Sequence, residues 1–334
     1  MKALVIHTAF GLNNLAVVER PDPTPAPGQV LVRVRAASLN YRDLLLVKGQ
    51  YNPKLQFPRI LGSDAAGEVV AVGESVTRVK VGDRVANCFM PHWEDGPITE
   101  AAAKSTLGSD RDGVFAELIA VDERAAVKAP DHLSFEEAAT LPCAAVTAWN
   151  ALTAADTGPG TTVLLQGTGG VSIFALQFAK ALGARALITS SSDEKLARTA
   201  SMGAGAGVNY RANPDWEKWA RQQTGGAGVD VVVEVGGAGT MDKSLKAVKT
   251  GGHVALIGVL AGAGAVNPTP ILMKAVRVQG VFVGSRAMFE AMNRVISDKQ
   301  IRPVIDRVFP FADAPAAFNH LESGSHFGKV VLAL

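Results

Sequence analysis

From residue 163 onward the apolar positions recur in one order: a short unbroken apolar run, a turn, then an apolar face at helical spacing. Val163–Leu165 is such a run, and a helical pattern follows from Val171 to Leu182. Arg185–Thr189, Val208–Tyr210, Val229–Val235, His253–Gly258 and Val276–Val283 read as strands. Asp193–Met202, Asp215–Gln223 and Met241–Val248 read as helices. An apolar run without polar alternation suits a strand covered on both faces. Strands alternating with helices predict a parallel sheet. The chain before residue 144 has another style. Val30–Arg35 and Gly67–Gly73 are β-branched runs bounded by turn residues. Pro21–Gly28 is extended, because each proline turns its predecessor away from helix, and it reads as a surface loop. Residues 87–113 are interrupted by Pro91, Gly96, Pro97, Gly108 and Gly113 and predict an irregular loop. The last 50 or so residues change style again, with a helix at Met288–Ile296, then Pro303 and a final strand at Lys329–Leu334. The expected class is α/β: a doubly wound parallel sheet plus a β-rich second domain.

Composition narrows the function classes. The 334 residues suit two domains, and 48% hydrophobic against 19% charged residues excludes disorder. A net charge of +2 gives no strong pull toward nucleic acid or an anionic membrane. With two cysteines, Cys88 and Cys143, neither a disulfide scaffold nor a four-thiolate zinc site is possible. The first residues lack a signal-peptide pattern, and no apolar run reaches the ~18 residues of a membrane span. A cytoplasmic protein is expected.

The strongest local motif is Val163-Leu164-Leu165-Gln166-Gly167-Thr168-Gly169-Gly170-Val171-Ser172. It ends a strand and opens a helix, the setting of the Rossmann dinucleotide fingerprint. Gly167 permits the tight turn, Gly169 and Gly170 let backbone approach a pyrophosphate, and the helix start offers free N–H groups. Ser172 stands for the third glycine, small enough for close helix–strand packing. The end of the second strand selects the cofactor. An NAD site offers an acid there to the ribose 2′-hydroxyl. This chain has Ser190, Ser191 and Ser192, with Lys195 behind them, which suits the 2′-phosphate of NADP. Asp193 serves either the ribose or the helix N-cap, and we read it as the cap.

These features, taken with the first domain, resemble the medium-chain dehydrogenase/reductase superfamily over essentially the whole chain. Within it the sequence looks like the zinc-free quinone oxidoreductase, or zeta-crystallin-like, branch. The match rests on Ala37–Asp43, Leu61–Gly67, Val81–Val85, Leu141–Ala148 and the glycine turn continuing to Gln177 and Lys180; Thr168 and Ser172 depart from the branch pattern. The resemblance implies a discontinuous GroES-like catalytic domain, residues 1–144 with 285–334, around a Rossmann domain at 145–284. It implies a homodimer paired through Val276–Val283, and it adds Thr147, Val235, Gly258, Val259, Leu260, Phe282 and Val283 to the cofactor site. Tyr210 corresponds to a family tyrosine near the 2′-phosphate, and Lys329 is a further contributor there.

Zinc-dependent relatives ligate the metal through Cys, His and Cys, with a Glu beside the His. The matching positions here are Asn40, Ser63, Cys143 and Asp64, so no catalytic zinc is expected. Cys143 reads as a small buried apolar residue and His92 as a lone histidine. Without a Lewis acid a conjugated carbonyl is the easier hydride acceptor, because its product anion is delocalised. The family places polar residues of these segments by the nicotinamide, which makes Asn40 and Tyr51 the candidate donors. Tyr51 is alternatively a turn residue and Asp43 a helix cap or Arg42 partner. Trp93 and Phe89 either cap a site or are core. The expected function is NADPH-dependent reduction of a quinone or α,β-unsaturated carbonyl. The rival functions are a zinc alcohol dehydrogenase and a non-catalytic NADPH- or nucleic-acid-binding protein.

Overall fold

The computed structural model describes residues 1–258, 260 and 264–334. The chain divides into two compact units, Met1–Val146 with Gly284–Leu334, and Thr147–Val283.

The second unit is the α/β one. Its strands are β1 (Thr162–Gln166), β2 (Arg185–Ser190), β3 (Ala206–Asn209), β4 (Val229–Glu234), β5 (Val248–Leu256) and β6 (Arg277–Gly280). All neighbours are parallel and lie in the order β3-β2-β1-β4-β5-β6, the doubly wound arrangement. Val163, Leu164 and Leu165 of central β1 are fully buried, as their unbroken apolar run requires. The helix Gly170–Ala181 follows β1 and packs Ile173, Phe174, Leu176 and Phe178 inward. Phe178 meets Trp149 edge-on, ring centroids 5.6 Å apart. The strand order reverses beside β1, so the glycine turn lies at the switch point where α/β sheets take their ligands.

Two expectations here need correction. The last strand is Arg277–Gly280 and not Val276–Val283: Val281 N–H still bonds Leu256 O, but Val283 then adopts a positive φ of 57°, which ends the extended run. The cap of the helix Asp193–Ser201 is Ser192, whose hydroxyl accepts Lys195 N–H at 3.3 Å. Asp193 occupies the first helical position and accepts a bond from Asn209 Nδ2 at 2.9 Å. A serine one residue earlier meets the same orphan N–H groups.

The first unit holds a seven-stranded sheet and a three-stranded sheet. At the centre of the larger one, Gln29–Leu39 pairs with Ala65–Val72, and the C-terminal strand Lys329–Ala333 adds antiparallel on its other side. Gly67 sits where Ala65–Val72 crosses Gln29–Leu39 so closely that a Cβ would lie 2.0 Å from Arg33 O. The core is built from Leu4, Val30, Leu39, Leu44, Phe115, Phe318 and their neighbours. The 87–113 stretch is irregular apart from the short helix Glu100–Ala103, and Phe89 and Trp93 are buried in it, at 2% and 7% exposure. They are core. Among the described residues no helix is long and apolar enough to cross a membrane.

Candidate functional site

The chain's chemistry gathers in two places, one in each unit. In the first unit, Asn40 ends the long strand and starts the helix Tyr41–Val47. Its backbone N–H bonds the Asp43 carboxylate at 2.8 Å, the capping box of a helix whose N-cap is Asn40, and Arg42 lies 3.8 Å from Asp43. Burial raises the Asp43 carboxyl to about 6, against the pull of Arg42 and Asn40.

The register Val330↔Leu39 brings Lys329 beside Asn40. Lys329 is 3% exposed, and its ammonium donates to Leu39 O at 2.7 Å and to Asn40 Oδ1 at 2.6 Å. Asn40 Nδ2 reaches Ser63 Oγ at 3.4 Å, and the Ser63 hydroxyl donates to Asp64 Oδ1 at 2.8 Å. The other Asp64 oxygen accepts Cys143 N–H at 3.1 Å and lies 4.0 Å from the Lys329 ammonium. Burial raises the Asp64 carboxyl from its usual range, while Lys329 and the hydrogen bonds from Asn40, Ser63 and Cys143 oppose the rise. Burial also pushes the half-buried Cys143 thiol up, so it stays protonated.

This donor set does not fit a catalytic zinc. The Asn40 carbonyl oxygen already serves an ammonium, the Ser63 hydroxyl already donates to Asp64, and Cys143 is the single thiol at these positions. A positive charge 4.0 Å from the Asp64 carboxylate would repel a dication. Among the described residues, no three His, Cys, Asp or Glu side chains come together as metal ligands. Tyr51 is 38% exposed, in the loop after the Tyr41–Val47 helix, with its ring over the Arg42 guanidinium at 5.0 Å. Phe89 stacks on the same guanidinium at 4.7 Å. Tyr51 is thereby held at the surface while Arg42 is buried.

In the second unit the glycine turn fits a dinucleotide. Gly167 has a φ of +72°, and a Cβ at Gly167 or Gly169 would meet nothing within 4 Å. Thr168, at 6% exposure, lies between them. The helix beginning at Gly170 and Val171 has no side-chain cap, which leaves its first N–H groups to an anion. Ser172 bonds Gln166 O at 2.6 Å and fastens the helix to β1, which explains the missing third glycine. Ser190 is buried, Ser191 and Ser192 are half-buried, and Tyr210 is exposed with its N–H on Ser190 O at 2.9 Å. Lys195 and Tyr210 are thus on elements adjoining the serine run. Thr147 is buried on the helix Val146–Thr153, and Val283 O accepts Asn150 Nδ2 at 2.8 Å. Phe282 is partly exposed. Gly258 passes Val235 so tightly that a Cβ would lie 2.0 Å from Val235 O, and Leu260 N–H bonds that same oxygen at 3.5 Å. Val259 lies outside the described residues. Lys329 belongs to the first unit, with Asn40.

One network went unread in the sequence. Glu234, fully buried at the end of β4, accepts Gln166 Nε2 at 2.7 Å and the N–H groups of Gly236 and Gly237 at 2.8 and 2.9 Å. It also accepts the Thr240 hydroxyl at 2.5 Å and the Ser244 hydroxyl. Gln166 Oε1 accepts Val235 N–H at 3.2 Å. This clamp ties the glycine turn to the loop after β4. An acid closing the apolar run Val231-Val232-Val233 was the available signal.

A chain that combines a doubly wound unit carrying an uncapped glycine turn with a unit built from both chain ends has counterparts among known proteins. Residues 26–131 match the alcohol dehydrogenase GroES-like domain, and residues 170–298 match the zinc-binding dehydrogenase family. The chain is 46% identical to a zinc-type alcohol dehydrogenase-like protein of Schizosaccharomyces pombe, over 99% of this chain and 98% of that one. The chain belongs to the medium-chain dehydrogenase/reductase superfamily. It is also 32% identical to the acryloyl-coenzyme A reductase of Metallosphaera sedula, over 99% of both chains. A mycobacterial protein solved with NADPH is 29% identical, with a TM-score of 0.84 and 100% of both chains covered. This dehydrogenase/reductase is therefore an oxidoreductase with a pyridine nucleotide as its cofactor.

Proposed function

We propose that the protein is an NADPH-dependent, metal-free reductase of quinones or other α,β-unsaturated carbonyls. The observation that carries this reading is the occupant of the zinc-ligand positions: Asn40 and Ser63, hydrogen-bonded into a network with Lys329 and Asp64. The relative named for acryloyl-coenzyme A supports it, since that substrate is an unsaturated thioester. Gly167, Gly169 and the first turn of the helix Gly170–Ala181 hold the pyrophosphate. Ser190, Ser191, Ser192, Lys195 and Tyr210 receive the 2′-phosphate. Bound NADPH supplies hydride to the conjugated carbon. The Asn40 amide donates to the carbonyl oxygen as negative charge develops there, which is where preorganised donors lower a barrier most. Tyr51, with its exposed phenol, supplies the proton directly or through one water. The protein pairs with a second copy along the edge strand β6, preceded by exposed Leu272 and Met273.

The test is turnover on a panel of quinones, enones and simple aldehydes, with NADPH and with NADH, on protein purified without added zinc. Reduction of the conjugated substrates only, with less than stoichiometric zinc by elemental analysis, is expected. About one tightly held zinc per chain and turnover of simple alcohols would overturn the reading. NADPH should bind about tenfold or more tightly than NADH, since one charge-assisted bond to the 2′-phosphate is worth roughly 1.5–3 kcal/mol. Equal fluorescence titrations would refute this preference. Tyr51→Phe should lower turnover about 10²-fold at unchanged NADPH affinity, because the ring stays on Arg42 and only the hydroxyl is lost. An unchanged kcat/KM would leave Tyr51 a turn residue.

A further inference from the structure

Lysine rarely lies this deep without a carboxylate in direct contact. Lys329 is 3% exposed and its nearest carboxylate oxygen, Asp64 Oδ2, is 4.0 Å away, beyond hydrogen-bond range. Two of its three N–H groups go to carbonyl oxygens, Leu39 O at 2.7 Å and Asn40 Oδ1 at 2.6 Å. The ammonium is thus in direct contact with two neutral oxygens, with the Asp64 carboxylate as a more distant ion-pair partner. The second of those bonds also has a directional effect. An ammonium donates only, so the Asn40 amide must turn its oxygen to Lys329 and its NH2 away. That NH2 faces Ser63 Oγ at the long distance of 3.4 Å and the Asp64 carboxylate, the side of the network away from Lys329. An amide whose oxygen is bonded to a cation is polarised, and its N–H becomes the stronger donor.

We propose that Lys329 is a positioning residue: its ammonium fixes the flip of the Asn40 amide and strengthens its N–H toward the substrate oxygen, so that a fixed charge does in this fold what a metal does in the zinc-dependent members. The proposal rests on the reading of Asn40 as the donor to that oxygen. It assigns Lys329 to the oxyanion and not to the 2′-phosphate. The two roles predict different losses: the first lowers kcat and the affinity for anions of the product type, the second lowers cofactor affinity alone.

The experiment compares Lys329→Met, Lys329→Gln and Lys329→Arg, each alone and with Asn40→Ala. Thermal denaturation checks folding, NADPH fluorescence gives the cofactor Kd, and steady-state turnover gives kcat and KM. Lys329→Gln is the deciding variant, because it keeps an N–H donor but removes the charge. Lys329→Met and Lys329→Gln should lower kcat about 10–100-fold, the loss usual for a residue acting through another, with NADPH affinity within about twofold of wild type. Lys329→Arg should recover part of the loss. In the Asn40→Ala background the same changes should move kcat by less than about threefold, since coupled residues are not additive. Full activity in Lys329→Gln, multiplicative losses in the double variants, or weaker NADPH binding with kcat intact would each overturn the proposal. A second readout needs no turnover: titration of 4-nitrophenolate into the NADP⁺ complex. Lys329→Gln should weaken that binding about tenfold, and unchanged affinity would also overturn the proposal. A wild-type protein that reduces no quinone or enone would count against the proposed function, while the phenolate titration would still decide the role of Lys329.

Discussion

Gly169→Asp should weaken NADPH binding by more than about 100-fold and leave the protein as stable as before, or slightly more so. The two effects separate because of where Gly169 stands. Its φ of −78° and ψ of −179° suit any residue, and a Cβ there meets nothing within 4 Å. It is also the N-cap of the helix Gly170–Ala181, a place where aspartate typically stabilises by about 0.5–2 kcal/mol relative to a non-capping side chain. The same carboxylate would face the pyrophosphate. Two like charges about 4 Å apart repel by roughly 4 kcal/mol at an effective dielectric of 20, which sets the expected loss. Fluorescence titration of NADPH and a thermal melt read the two quantities from one sample. Unchanged affinity would remove the glycine turn from the cofactor site, whereas a collapse of the melting temperature would make the turn structural.

Asn40→Ala should lower kcat on the best conjugated substrate by about 10²–10³-fold, the size seen when one donor to a developing oxyanion is removed. The fold should survive. The bond from the residue 40 N–H to Asp43 does not use the side chain, so the cost of losing the Asn40 cap stays at about 0.5–2 kcal/mol, and Lys329 keeps Leu39 O while Asp64 Oδ2 stands 4.0 Å away. The loss should appear in kcat and in kcat/KM together, as expected for a contact made mainly in the transition state. NADPH affinity, measured on the same preparation, should hold. A kcat within about threefold of wild type would take Asn40 out of the chemistry.

The sequence exposed the second unit more readily than the first, for a physical reason. Parallel strands buried on both faces must be continuous apolar runs, and Val163–Leu165 and Val229–Val233 announce themselves that way. The glycine turn was readable because its three features, strand, tight turn and helix start, are neighbours in the chain. Capping was readable only to within one residue, since Ser192 and Asp193 have the same chemistry. Strands of the first unit such as Arg84–Asn87 and Ala126–Lys128 are short and pair far from their neighbours in sequence, so no local pattern marks them. The positions of Asn40, Ser63 and Cys143 came through family resemblance, but their bonding did not. Nothing in Gly328-Lys329-Val330 says that its ammonium meets an asparagine 289 residues earlier. That contact is a product of strand register, which sequence spacing does not encode.

The pairing of Lys329–Ala333 with Gln29–Leu39 has a consequence for biosynthesis. The ends of this contact are 290 residues apart, and a ribosome adding about 5–20 residues per second separates their emergence by roughly 15–60 s. Through that interval the long N-terminal strand has one flank without its final neighbour, and Asn40 lacks its ammonium. The contiguous Thr147–Val283 segment meets no such delay, because every strand of its sheet is translated before residue 284. A nascent chain stalled before the C-terminus should therefore carry a nucleotide-binding unit while the other unit still presents an open sheet edge. Such an edge recruits other chains. Yield from fast expression should depend on how well nascent chains are kept apart until the last strand is released.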